Sequence, residues 1–500
     1  MVTEGKRNLE PEKVFRFFKE ICGIPHGSGN VEGISNYLVE FARDRGLFYV
    51  QDAWKNVIIV KEASAGYENA APVILQGHMD MVAVKKPGSD IDMQKEGLRL
   101  AVDGDYLYAQ DTSLGGDDGI AVAYALAILD SGEIPHPKLE VILTVDEEVG
   151  MDGARNLDVS MLEGKRMINL DSEEEGIILA GCAGGARVDW MLPVKRTHKA
   201  GTVYEISVKG LMGGHSGSEI DKERGNANCL MGRLLYGLED TAELGLAALE
   251  GGLADNAIPR ETKAIVVLAE SGGNMHSMDK DGTVETAETL FLRKIKEAEA
   301  QWKQELQSKD PDVCIAVERL EGDGLECVVP EDARKITGLL FGAPNGVQAM
   351  SADMKGLVET SLNMGIVRLE EKRAVIQFSV RSSLEGAKKA LVAKLECMAR
   401  MAGAVQDVRG DYPGWAYQKE SPFRDMAVEV YQDMYGKEPE IQAIHAGLEC
   451  GLLAAKIPGL ECISIGPDMK DIHTPQERLS ISSTGRVWEY LLEILKRKGE

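Results

Sequence analysis

The sequence predicts an α/β domain with a mostly parallel sheet, built from both chain ends and interrupted by an α+β insert. Three observations predict it. Short apolar runs alternate with helical spacing through the first third of the chain. Near Arg187 the texture changes to strands that alternate polar and apolar residues, with helical segments between them. After the turn signal Asp411-Tyr412-Pro413-Gly414 the first texture returns. The expected organisation is residues 1–187 and 413–500 as one catalytic domain, with residues 188–412 as an inserted lid or dimerisation domain.

The elements follow in order. Pro11–Ile21 reads as an amphipathic helix with Val14, Phe15, Phe18 and Ile21 on one face, and Val31–Arg45 resumes helical spacing after the polar break Pro25–Asn30. Asn56–Lys61, Val73–Gln76, Glu140–Val145 and Met167–Leu170 are strand-like, rich in Val and Ile. Gly119–Leu129 is Ala-rich and apolar, a buried helix behind an acidic turn. In the insert, Val203–Lys209 alternates as a half-exposed strand does, and Ala264–Ala269 and Val375–Val380 are similar. Helices are expected at Asn226–Gly237, Thr283–Gln307 and Glu385–Met401, on one face of an antiparallel sheet. A helix near Pro422–Tyr435 and the strand Cys462–Ile465 complete the chain.

At 500 residues there is ample core for two or three domains. A hydrophobic fraction of 44% with 27% charged residues is ordinary for a soluble globular protein. The formal charge is −25, from 56 Lys+Arg against 81 Asp+Glu, which repels phosphate backbones and argues against a nucleic-acid partner. The eight cysteines form no CxxC and no zinc-finger spacing, so reduced buried thiols of a cytoplasmic protein are the expectation. No secretory h-region or membrane-spanning run is read, so no membrane partner is expected.

Metal-ligating residue types cluster in five places, four of them past apolar runs: His78-Met79-Asp80, Asp117-Asp118-Gly119, Asp146-Glu147-Glu148, Asp171-Ser172-Glu173 and His473. Open α/β sheets build their sites at the carboxyl ends of strands. Each group alone has a plainer reading, as a core histidine, a helix N-cap or a solvated turn. Their recurrence at successive strand ends points to a metallohydrolase. Zinc takes imidazole and carboxylate ligands, about four per ion, and a pair of ions roughly 3.5–4 Å apart needs a bridging carboxylate. Asp117 would bridge, His78 and Asp171 would serve one ion, and Glu148 and His473 the other. Cobalt or manganese suits the same ligands. Asp80, two residues past His78 on extended chain, is placed to accept the second imidazole N–H. Glu147 is placed to take a proton from a water shared by the metals and pass it to a leaving amine.

These segments carry a resemblance. Gly77-His78-Met79-Asp80-Met81, Gly115-Gly116-Asp117-Asp118-Gly119, Asp146-Glu147-Glu148-Val149-Gly150 and Asp171 after an Asn-Leu strand resemble the di-zinc peptidases of clan M20. Three phrases are similar to the bacterial aminoacyl-histidine dipeptidases, the carnosinase-like peptidase D group. They are Asp171–Gly176 with Cys182–Gly185, Gly213–Gly217, and His445–Gly451. The resemblance spans nearly the whole chain. It implies His78, Asp117, Glu148, Asp171 and His473 as ligands of two Zn²⁺, Asp80 as orienter of His78, and Glu147 as general base and acid acting on a metal-bridging hydroxide. It further implies that His215 holds the substrate and developing oxyanion, often from the partner subunit of a homodimer. By the same resemblance Asn256 contacts substrate and Arg381 binds its free carboxylate. Asp118 departs from the Asn that relatives often carry there.

The expected function is hydrolysis of dipeptides, Xaa-His and β-Ala-His among them. A tripeptidase or an N-acyl amino acid deacylase uses the same fold and metals. A silent metal-binding dimer scaffold would lack the base, and Glu147 is present. His26, His136, His198 and His276 fit no motif and are expected to be ordinary solvated histidines.

Overall fold

The computed structural model describes residues 9–239, 243–269, 277–278 and 284–498. His276 and the first residue of the expected helix at Thr283 lie outside the described residues. The chain divides into two compact units. One comprises residues up to Cys182, Trp415–Ala443 and the chain from Leu448; the other comprises Ala183–Gly414 with Ile444–Gly447.

The first unit is built on an eight-stranded sheet. Its order is Phe48–Gln51, Val57–Lys61, Leu139–Thr144, Val73–His78, Arg166–Asn169, Glu461–Ser464, Ile177–Cys182 and Glu440–Ile444. The four central strands, Leu139–Thr144 to Glu461–Ser464, run parallel. Val73–His78 and Leu139–Thr144 are buried along their whole length, as strands covered on both faces must be, which explains their mainly apolar sequences. The neighbouring strands Val57–Lys61 and Ile177–Cys182 run antiparallel to this parallel centre. The helix Gly116–Leu129 is buried at every position, and past Asp117 and Asp118 it is apolar all round. Glu12–Cys22 packs against it through Phe18, at the point where Gly119 leaves room. A small four-stranded sheet joins Leu100–Asp103, Tyr106–Ala109, Arg478–Ser480 and Met469–Lys470.

The second unit is built on a nine-stranded antiparallel sheet. The helices Ala227–Leu238, Ala287–Glu305, Pro330–Gly342 and Glu385–Ala402 share its main core with residues such as Trp190, Ile206, Met364 and Phe378. The strand Thr202–Lys209 is not half-exposed: Val203 and Tyr204, on opposite faces, are both buried. The cause is a separate two-stranded ribbon, Arg196–Ala200 with Gly324–Val328. Its Cys327 packs with Val203 and Val267 in a second small apolar cluster.

Candidate active site

The parallel strands carry the candidate ligands to one end of the first unit. His78 closes Val73–His78, Glu148 follows Leu139–Thr144, and Asp171 follows Arg166–Asn169. Asp117 stands in the first turn of Gly116–Leu129, with a non-helical backbone (φ −82°, ψ 107°). That helix comes close to the His78 strand because residue 77 is glycine; a Cβ there would lie 2.5 Å from Ala121 Cβ and 2.6 Å from Asp118 Oδ2. His473 lies in the connection between Met469–Lys470 and Arg478–Ser480.

All five side chains converge. His78 Nε2 is 3.1 Å from Asp117 Oδ1 and 3.7 Å from Asp171 Oδ1. His473 Nε2 is 3.1 Å from Asp117 Oδ2 and 2.9 Å from Glu148 Oε1. Asp117 thus presents one oxygen to each imidazole. Two overlapping donor groups, His78–Asp117–Glu148 and His78–Asp118–Asp171, each lie within 4.8 Å. Asp118 enters the second group although the motif spacing does not use it. Its Oδ2 accepts the backbone N–H of His78 at 3.1 Å, and its Oδ1 is buried without a hydrogen-bond partner.

The electrostatics favour cations. Burial pushes the Asp171 carboxyl up to about 7, and burial likewise raises Asp118 and Glu147 well above the ordinary carboxylate range. Burial also opposes a charged His78, but the carboxylates of Asp117, Asp171 and Asp80 outweigh it and raise its basicity. The neighbouring carboxylates of Asp117 and Glu148 push His473 up to about 10. The two imidazoles stand among more carboxylates than they can neutralise. A compact set of imidazole nitrogens and carboxylate oxygens with excess negative charge fits divalent cations of the zinc, cobalt or manganese type.

Asp80 is arranged differently from the expectation. The closer acceptor of the His78 Nδ1 proton is the Asp80 backbone carbonyl, at 3.0 Å; the carboxylate Oδ1 is 3.5 Å away. That carboxylate instead accepts from Ser28 Oγ at 2.8 Å and from the Glu147 backbone N–H at 3.2 Å. It therefore ties the His78 strand to the turn bearing Glu147. Glu449, unassigned in the sequence reading, is fully buried and accepts from Gln76 Nε2 and Thr144 Oγ1. Asn169 Nδ2 donates to Gln76 Oε1 at 2.6 Å, so one polar network crosses three of the ligand-bearing strands. The signal for Glu449 was a carboxylate inside the apolar stretch Leu448–Leu453.

His215, Asn256 and Arg381 lie in the second unit. Gly214 and His215 pair with Ile258 and Ala257, and His215 and Asn256 line one groove. His215 Nδ1 accepts backbone N–H groups of Gly217 and Ser218 at 3.3 and 3.2 Å, which places the proton of the neutral ring on Nε2. Burial, followed by the charge of Arg381, lowers the His215 pKa. Arg381 is buried, its Nη1 donates to Tyr412 Oη at 3.4 Å, and its Nε has no partner. His445 shares a 2.7 Å hydrogen bond with Ser361 Oγ; burial and then Arg381 push it down to about 3.

The remaining histidines correct the sequence reading in part. His198 is exposed, but His26 and His136 are buried. Each bonds a nearby carbonyl through Nδ1, Ile24 O at 2.6 Å and Pro137 O at 2.7 Å, and burial lowers the pKa of both rings, favouring the neutral form. All cysteines are free thiols; Cys182 is pushed up to about 11 by burial, which suits no nucleophile. Among the described residues no helix is long and apolar enough to cross a membrane.

Residues 74–497 match the model of peptidase family M20/M25/M40. The chain is 38% identical over 490 residues to the cytosol non-specific dipeptidase of Escherichia coli (strain K12), covering 98% of both proteins. Its structure is similar to that of the aminoacylhistidine dipeptidase from Vibrio alginolyticus, with a TM-score of 0.87, 36% identity, and coverage of 98% of this chain and 97% of the other. A tripeptidase from Staphylococcus aureus shares the fold at a TM-score of 0.55 and 16% identity, over 99% of this chain and 100% of its own. The chain belongs to the M20 peptidase family.

Proposed function

We propose that the protein is a cytoplasmic dipeptidase that works with two divalent cations, zinc foremost, and accepts Xaa-His dipeptides including β-Ala-His. The observation that carries the reading is Asp117, whose two oxygens each lie 3.1 Å from a different imidazole. Two similar proteins, from Escherichia coli and Vibrio alginolyticus, bear the name dipeptidase. His78 and Asp171 would hold one cation, Glu148 and His473 the other, and Asp117 both. Such cations supply a Lewis acid for the scissile carbonyl and acidify the attacking water.

The chain's own residues supply the rest. Glu147 takes the proton of the water and returns it to the leaving amine; its burial-raised basicity suits both halves of that task. Asp80 fixes the turn of Glu147 relative to His78. His215 offers its Nε2–H to the developing oxyanion, from the same chain or from a partner subunit. Arg381, a buried guanidinium with unused donor capacity, anchors the substrate's terminal carboxylate, with Asn256 as a further contact. The inserted unit serves as lid and as homodimer surface.

The test is hydrolysis of Ala-His, β-Ala-His, Gly-Gly-His and N-acetyl-His by chelator-treated protein with and without zinc. Zinc-restored cleavage confined to the two dipeptides is expected. Cleavage of the tripeptide or the acetyl compound instead would move the substrate class to a tripeptidase or a deacylase.

A further inference from the structure

The helix Gly116–Leu129 starts without a cap of its own. Gly115, at the N-cap, has φ 67° and no side chain to offer, and Asp117 and Asp118 are non-helical. The N–H groups ahead of the first regular turn need partners from elsewhere. Glu477 provides them. Its Oε2 accepts from Leu114 N at 2.7 Å and Gly115 N at 3.0 Å; its Oε1 accepts from Gly116 N at 2.8 Å and lies 3.5 Å from Asp117 N. Glu477 is buried, and no cationic side chain pairs with it among the described residues. Its charge is met by backbone dipoles at a helix start, a strong arrangement for a carboxylate.

The same residue ends the loop that carries His473. Residues 471–477 connect the antiparallel pair Met469–Lys470 and Arg478–Ser480. Within it Asp471 and His473 have φ of 52° and 60°, backbone conformations that persist only where the surroundings hold them. Thr474 Oγ1 donates to Asp471 O at 2.7 Å, and Glu477 N donates to Thr474 O at 3.1 Å, so Glu477 is the anchor of this turn. His473 is also the least enclosed candidate ligand, its side chain 43% exposed where the other four are a tenth exposed or less. Its position is set by the loop together with its contacts to Asp117 and Glu148.

We propose that Glu477 is a positioning residue. It clamps the Leu114–Asp117 backbone to the His473 loop, and so sets the affinity of the cation position bounded by Asp117, Glu148 and His473. This rests on the two-cation reading above. The position served by His78 and Asp171 stands on strand ends and depends on Glu477 less.

Calorimetric zinc titration of chelator-treated protein tests this, with cobalt absorption spectra as a second readout. Wild type is expected to take two cations. Glu477→Gln keeps the volume but turns an NH₂ toward N–H donors; it is expected to keep one tight cation and bind the other 10–100-fold more weakly, the usual effect of removing a residue that orients a ligand. Glu477→Asp keeps the charge at shorter reach, is expected to fall between, and serves if the Gln variant does not fold. Two cations with wild-type affinities in these variants would overturn the proposal, and so would a lowered melting point with unchanged affinities, the mark of a purely structural role. Wild type that binds no cation would overturn the site reading itself.

Discussion

Nε2 of His473 and Oε1 of Glu148 lie 2.9 Å apart, yet that buried oxygen makes no hydrogen bond. Close approach without hydrogen-bond geometry is what two ligands of one ion produce. His473→Ala is therefore expected to lower the bound zinc from two equivalents to one and to remove nearly all hydrolysis. Metal analysis after exhaustive dialysis checks it, and two equivalents retained would count against the assignment.

Glu147 follows a different logic, because its role is with the proton and not with the metal. Glu147→Gln is expected to keep both cations while kcat falls about 10²–10⁴-fold, the usual worth of a positioned acid–base group. KM should change little. Turnover near wild type would refute the base assignment.

Arg381 separates binding from chemistry. A charged hydrogen bond is worth about 1.5–3 kcal/mol, so Arg381→Ala is expected to raise KM for free dipeptides roughly 10–100-fold. Dipeptide amides, which lack the carboxylate, should be equally poor substrates of both proteins. An unchanged KM for free dipeptides would remove Arg381 from the substrate site.

His445 gives a pH dependence of stability. In the fold it is pushed down to about 3, by burial and then by Arg381, whereas an unfolded histidine titrates near 6.5. Below about pH 6.5 the unfolded chain binds the extra proton, so this stabilisation is full above that pH and is lost toward pH 3. The slope is at most about 1.4 kcal/mol per pH unit. Melting points at pH 7 and pH 5 should therefore differ more in wild type than in His445→Gln. Equal differences would contradict the buried neutral ring.

What was legible in the sequence follows from which interactions are local. Val73–His78 and Leu139–Thr144 are fully buried parallel strands, so they read as mainly apolar runs, and the acidic residues and histidines at and past their ends stand out. The antiparallel flank Phe48–Gln51 is short and half exposed, with little pattern to read. The helix Pro330–Gly342 did announce itself, with Pro330, Glu331 and Asp332 in its first turn, and was overlooked. Thr202–Lys209 misled because its outer face is covered by a ribbon whose second strand lies more than a hundred residues later. Glu449 and Glu477 act on residues hundreds of positions away, so no local spacing reveals their partners. Asp80 was placed correctly beside His78, but which of its oxygens lies nearer depended on the backbone path after the strand.

The most direct test of the account is the initial rate of Ala-His hydrolysis as zinc is added stepwise to chelator-treated protein. Negligible activity without metal and a plateau at two equivalents are expected. Full activity in the metal-free protein, or no hydrolysis with two cations bound, would contradict it.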